Sequence, residues 1–435
     1  MLNRVATPFV KLVERYLPDP YIFVLLLTLV VFSAAMLIEG QSLTVVVEQW
    51  GSGLWGLLSF SMQMLLVLVT GYMLASTPLV KKCLESLAAL ANSAGKAIIL
   101  VTLVSLMASW LNWGFGLVVG ALFAKALAKR IEVDYRLLVA SAYSGFVVWH
   151  GGLAGSVPLT IATPGHFSVD QIGVIDTSET IFATFNLILV AILFIVMPLV
   201  NRLMMPKPED SVIVPAEKLE DKHTVDEANT RPADKLENSI ILAQLIGFAG
   251  MGYLLMYFIG GGTLNLNVVN GSFLFLAIIL HKTPRRLLFS LHQAVKGGAG
   301  IVIQFPFYAG IMAVMVQSGL AQSLSEWLIG LATAESLPVW SFISAGIVNI
   351  FVPSGGGQWA VQAPVVLPAA LELGADVNRV AMGVAWGDAW TNLIQPFWAL
   401  PVLAIAGLKA KDIMGFCLVQ LILTGVIIGL VLRLV

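Results

Sequence analysis

Apolar residues run along this chain in long stretches parted by short polar breaks, and the stretch lengths predict its elements. A hydrocarbon core of ~30 Å takes roughly 20 helical residues at 1.5 Å each. Residues 21–38, 54–74, 181–200, 239–258, 264–280, 301–317 and 413–432 come close to that length and predict plain crossings. Residues 137–163 and 380–407 are long enough, but polar or helix-breaking residues interrupt them. His150-Gly151-Gly152 and Gly155-Ser156-Val157-Pro158 break the first; the stretch from Asp388 to Pro396 breaks the second. Two pairs of pieces, 97–110 with 117–127 and 339–352 with 359–371, are each too short to cross comfortably. Asn112-Trp113-Gly114-Phe115-Gly116 parts the first pair and Pro353-Ser354-Gly355-Gly356-Gly357-Gln358 the second. These pairs predict re-entrant hairpins over 96–130 and 337–373; the competing reading of the first is one long kinked helix.

Composition fixes the class. Of 435 residues, 58% are hydrophobic and 11% charged, against about 25% charged in soluble domains, so a polytopic membrane protein is expected. Lys and Arg cluster at the ends expected to face the cytoplasm: Lys81, Lys82, Lys96, Lys125, Lys129, Arg130, then Lys282, Arg285, Arg286, Lys409 and Lys411. This pattern predicts nine crossings, with the N-terminus cytoplasmic and the C-terminus external. The run 21–38 is expected as a retained span rather than a cleaved signal, after an amphipathic lead-in over 1–20. Residues 201–238 interrupt the apolar pattern: 202–237 hold 6 basic and 9 acidic side chains and four prolines, predicting a solvated cytoplasmic linker. A net charge of −1 argues neither for nor against nucleic acid, and no nucleic-acid partner is expected of a membrane chain. Cys83 and Cys417 have no metal-ligand or disulfide spacing.

The halves flanking that linker, 21–200 and 239–435, share landmarks in the same order. Gln63 and Gln304 are 241 apart, Asn112 and Asn349 237, and both Arg136/Arg379 and Pro158/Pro401 243. The charges place the two copies in opposite orientation. The expected fold is therefore an all-α inverted repeat with two re-entrant hairpins and two broken transmembrane helices, an architecture of secondary transporters.

Asp388 is the candidate centre, because an intramembrane carboxylate must be neutralised or paired. Half-helices that end in mid-membrane offer unpaired N–H groups and a positive dipole end to an anion. The candidate substrate-binding residues are Asn112, Gly114, Gly116, Asn349, Ser354, Gly355, Gly356, Gln358, Thr391, Asn392 and Gln395. Asp388, Asn392 and His150 are the candidates for a coupling ion, Na⁺ or H⁺. Asp388 is expected to be an isolated acid, since Gly145 occupies the equivalent place in the first half. His150 either relays protons or binds a freed carbonyl. Trp113, Trp149, Trp359, Trp390 and Trp398 could wall an apolar pocket. No arginine lies at either tip, which disfavours a dicarboxylate clamp. An intramembrane enzyme lacks support: neither His-Glu-x-x-His nor Gly-x-Ser-x-Gly is present, and no cofactor or metal site is expected.

Several motifs carry a resemblance. Gly71-Tyr72-Met73-Leu74-Ala75-Ser76-Thr77-Pro78, Ser109-Trp110-Leu111-Asn112-Trp113-Gly114 and Pro353-Ser354-Gly355-Gly356-Gly357-Gln358-Trp359 are three of them. With Gly387-Asp388-Ala389-Trp390-Thr391-Asn392 and Gln395-Pro396-Phe397-Trp398, the chain resembles the bacterial short-chain fatty acid transporter family. The resemblance spans nearly the whole chain outside the linker. It implies uptake of short-chain fatty acids or acetoacetate across the inner membrane. It also implies kinship with hairpin-bearing anion transporters, which tend to be homodimers and move their hairpins elevator-fashion.

Overall fold

The computed structural model describes residues 20–219, 231–350 and 352–435, whose regular elements are all helices, with no strand among them. The expected lead-in lies outside the described residues except for its last one, and so do residues 220–230 of the linker. The first half comprises α1 (Pro20–Leu37), α2 (Leu43–Gly53), α3 (Leu58–Ala75), α4 (Pro78–Ala88), α5 (Ala94–Leu111) and α6 (Trp113–Ala128). It continues with α7 (Tyr135–Ser144), a 3-10 segment (Gly145–Gly151), α8 (Ser156–Ile161) and α9 (Thr184–Leu203). The second holds α10 (Ile240–Ile259), α11 (Leu266–His281), α12 (Pro284–Lys296), α13 (Ala299–Ser318) and α14 (Leu320–Leu331). It ends with α15 (Leu337–Val348), α16 (Gly355–Leu373), α17 (Val377–Asn392), α18 (Pro396–Ala406) and α19 (Ala410–Leu434). One order of helices thus occurs twice, α3–α9 and α13–α19: a long helix, a short one, a pair, a two-piece helix, a long helix.

Capping side chains set many of the starts. Thr77 accepts from the Val80 N–H ahead of Pro78, and Thr283 from the Arg286 N–H ahead of Pro284. Ser93, Asp134, Ser354 and Asp376 cap α5, α7, α16 and α17 in the same way, each cap contributing about 1 kcal/mol. The Ser93 cap also corrects an expectation. Residues 97–110 are not a short piece but part of an 18-residue helix that starts at Ala94 and runs to Leu111. Helix α5 is therefore among seven in the described residues long and apolar enough to cross a membrane. The others are α3, the composite Tyr135–Ile161, α9, α10, α13 and α19; Tyr21–Leu37 and Leu266–His281 are apolar but shorter. Helices α2, α4, α12 and α14 fall where hydropathy marks no span or only its edge; α4 and α12 bury one narrow face and mix charged and apolar side chains over the rest.

Packing then positions the site. α15 lies along α17, the most extensively packed pair of elements, because glycines at 383 and 387 form a flat stripe. A Cβ at either would collide with the carbonyl oxygen of Pro338 or Phe342. A fully buried polar network joins α5, α7, α9 and α19. In it Asn201 Nδ2 donates to Thr102 Oγ1 (3.0 Å) and Ser144 Oγ (2.9 Å), and Gln420 Nε2 donates to Asn201 Oδ1 (2.8 Å). Both cysteines are free thiols, Cys83 exposed and Cys417 buried.

Candidate functional site

Asp388 is not isolated. Packing of α17 on the 3-10 segment places its Oδ2 3.0 Å from His150 Nδ1, with both side chains fully buried. His150 Nε2 accepts the Val157 N–H at 3.0 Å, at the start of α8. A ring nitrogen that accepts carries no proton, so the imidazole hydrogen sits on Nδ1 and is donated to the carboxylate. The geometry therefore fits the Nδ1–H tautomer of a neutral imidazole, donating to Asp388 Oδ2 and accepting at Nε2. Trp149 stacks on the imidazole, centroids 4.0 Å apart, and fixes its plane.

Four amides surround this pair. Asn349 Nδ2 donates to the Asp388 carbonyl (2.8 Å) and to Thr391 Oγ1 (2.9 Å). Asn392 Nδ2 donates to the same carbonyl at 2.5 Å, and Gln395 Nε2 donates to the Asn349 carbonyl. Gln358 Nε2 donates to the Ala345 carbonyl (2.9 Å) and to Gln362 Oε1 (2.7 Å). Every one of these NH₂ groups sits on a backbone carbonyl, which fixes the amide orientation and turns the oxygen away. The result is an excess of acceptors. Asn349 Oδ1, Gln358 Oε1, Asp388 Oδ1, Asn392 Oδ1 and Gln395 Oε1 are all buried without a hydrogen-bond partner. Buried acceptors normally find donors, so such a group calls for a cation or added protons. Among the described residues there is no group of three or more His, Cys, Asp or Glu at this cluster or elsewhere. Neutral oxygens around one carboxylate are the ligands of a hard cation.

A cavity of about 510 Å³ adjoins the cluster. Two helix N-termini meet in its wall: Trp113 and Gly114 open α6, and Gly355 and Gly356 open α16 behind the cap Ser354. The first N–H groups of a helix have no partner within it and carry the positive dipole end. Trp149, Trp398, Met64, Leu68, Leu117 and Phe305 supply much of the rest of the wall. Lys296, exposed at the rim beside Gln293, is the one charged side chain lining it among the described residues. Cavity and cluster are one backbone apart. A Cβ at Gly355 would stand 2.6 Å from His150 Cε1 and 2.7 Å from Trp149 Cη2.

The residues singled out by sequence thus divide. Gly114, Ser354, Gly355 and Gly356 line the cavity, whereas His150, Asn349, Gln358, Asp388, Thr391, Asn392 and Gln395 form the buried cluster behind it. Asn112 and Gly116 join neither. Asn112 caps α6 by accepting the Phe115 N–H (2.9 Å) and donates to the Val67 carbonyl (3.3 Å), while Gly116 abuts Ser109 where α5 and α6 touch. Of the five tryptophans, Trp113, Trp149 and Trp398 reach the cavity. Trp359 is fully buried and Trp390 packs on Phe342. Gln304 also lines the cavity, accepting from Tyr308 OH at 3.2 Å, a role that its apolar setting on a helix did not disclose.

Comparison with known proteins adds the lineage. A family model described as short chain fatty acid transporter matches residues 1–435. A protein of Escherichia coli strain K12, provisionally named a short-chain fatty acid transporter, is 44% identical over 99% of this chain and 100% of its own length. One from Haemophilus influenzae with the same name is 42% identical, covering 99% of both chains. Among solved structures, the YdaH transporter of Alcanivorax borkumensis, described as having an unusual topology, aligns with a TM-score of 0.56 at 17% identity. The match covers 95% of this chain and 98% of that one, a likeness of fold. The chain is a multi-pass membrane transporter rather than an enzyme, and it belongs to the short-chain fatty acid transporter family.

Proposed function

We propose that the chain is a secondary active transporter of short-chain monocarboxylates, of the butyrate or acetoacetate type, across the bacterial inner membrane. The observation that carries this reading is the meeting of the α6 and α16 N-termini in an apolar, tryptophan-walled cavity. The paired N–H groups suit one carboxylate, and the apolar wall suits a short alkyl tail. A single charged side chain at the rim offers no counter-charge for a second carboxylate inside, which favours monoanions over dicarboxylates.

The coupling ion belongs at the Asp388 cluster. Five partnerless oxygens beside a neutral histidine favour Na⁺ over H⁺, with Asp388, Asn349 and Asn392 as ligands. The ion would neutralise the carboxylate one residue's thickness from the bound anion, tying the two occupancies together. The 96–130 and 337–373 hairpins of an inverted repeat would carry both past a scaffold in a homodimer, N-terminus inside and C-terminus outside. Proteoliposome counterflow tests the reading. Labelled butyrate should exchange for internal butyrate, and an inward Na⁺ gradient should drive accumulation that a pH gradient alone does not. Accumulation driven equally by a pH gradient in Na⁺-free buffer moves the assignment to H⁺, and absence of exchange removes it.

A further inference from the structure

Towards the other end of α6 from the tip that opens on the substrate cavity, α4 and α6 line a second cavity of about 230 Å³. Lys81 and Glu85 enter it from α4, and Lys125, Lys129 and Arg130 from the end of α6, with Leu84 between them. Four cations therefore face one carboxylate in a chain whose net charge is −1, so the concentration is local and not a consequence of a basic protein. Neither the transport cavity nor the Asp388 cluster uses any of these residues. We propose that this cavity binds the phosphodiester headgroup of an anionic phospholipid.

Placement selects a lipid over a free anion. Helix α4 follows α3, a helix of membrane-spanning length, after two intervening residues, so it lies where a bilayer's headgroups begin. It is amphipathic, and its exposed stripe carries Leu79 (51% exposed) and Leu87 (37%), with Leu90 (63%) just past its end. Leucines left facing outward at that level sit well among acyl chains, as in a helix lying in the interface. Leu84, buried, and Leu122 add apolar wall inside the cavity itself. Cations around a hollow with leucines alongside are the two halves of phospholipid chemistry, and basic pockets between transmembrane helices take such headgroups. A free phosphate would gain nothing from the leucines. The three long cations stand exposed, while Lys125 is half-buried, so the site is open to a headgroup from the side.

The test uses the purified full-length chain in detergent, titrated with phosphatidylglycerol, with phosphatidylcholine or with inorganic phosphate, and followed by thermal unfolding and retained lipid. Phosphatidylglycerol should raise the unfolding temperature where phosphatidylcholine does not. Each cation near an anionic headgroup contributes enough that removing two, in Lys129→Gln/Arg130→Gln, should weaken that titration about 30-fold. Lys129→Arg/Arg130→Lys should keep it. In phosphatidylcholine alone both variants should unfold at the wild-type temperature; if the neutral variant does not, Lys81→Gln takes its place in the comparison. An unchanged titration in the neutral variant overturns the proposal. So does protection by inorganic phosphate equal to that by phosphatidylglycerol, which would mark a free-anion site.

Discussion

Asp388 concentrates the chemistry at the scale of single residues. One carboxylate oxygen accepts the hydrogen bond from His150 Nδ1–H and the other is buried without a hydrogen-bond partner, which is the ground for proposing an ion there. Asp388→Asn keeps the shape and removes the charge. It should abolish accumulation driven by an ion gradient while leaving labelled-for-unlabelled exchange measurable in proteoliposomes. A variant that still concentrates substrate would make Asp388 a packing residue. The acid itself is legible in the sequence, because a carboxylate amid apolar residues must be explained. Its partner is not: His150 stands 238 positions away, and only the packing of α17 on the 3-10 segment joins them. The amides are legible as polar residues at breaks. That each lays its NH₂ on a carbonyl, leaving a set of bare oxygens, depends on tertiary contacts no local pattern encodes.

At the scale of elements, the pair α5 and α6 is the informative one. A single extended residue, Asn112, ends one helix and caps the next, and the two helices pack against each other. Length alone does not make them a hairpin, since α5 at 18 residues is long enough to cross. The ground for the hairpin reading is that both outer ends of the pair carry a lysine, Lys96 and Lys129, and labelling tests it. In a background with Cys83 and Cys417 replaced, single cysteines at 96 and 129 should react with an impermeant thiol reagent from the same side. Cysteines at 337 and 373, the outer ends of α15 and α16, should both react from the other side. Reaction of 96 and 129 from opposite sides would make the first pair a full crossing and end the case for inverted copies. Breaks at Asn112 and at Ser354 were readable because a capping residue followed by glycines is a local signal. The short helices α4 and α12 carry an equally local one, Thr77-Pro78 and Thr283-Pro284, but a reading tuned to apolar runs passes over helices with one narrow buried face.

At the scale of the molecule, what is transported follows from how charge and apolar surface are shared out. The membrane class was legible because hydropathy and cation placement are summed over many residues, and no single contact changes them. The cavity was not, since its wall joins Tyr72, Trp113, Trp149, Lys296, Gly355 and Trp398 from distant parts of the chain. Its make-up predicts selectivity. Each buried CH₂ contributes about 0.8 kcal/mol, so lengthening acetate to butyrate should tighten binding roughly 15-fold. Beyond the room available, further methylenes force neighbouring side chains off their rotamers at a cost of about 1–3 kcal/mol, and affinity should turn over. A dianion fares worse for a different reason. Two helix N-termini can share one carboxylate, but a second would lie against tryptophan and leucine with the nearest cation at the exposed rim, and a buried unpaired charge is far costlier than a methylene is favourable. Competition against labelled butyrate in counterflow ranks the acids directly. The expected order is butyrate above propionate above acetate, with hexanoate and succinate below butyrate. Succinate competing better than butyrate would mean that Lys296 or a rearranged tip supplies the missing counter-charge, and the substrate would be a dicarboxylate.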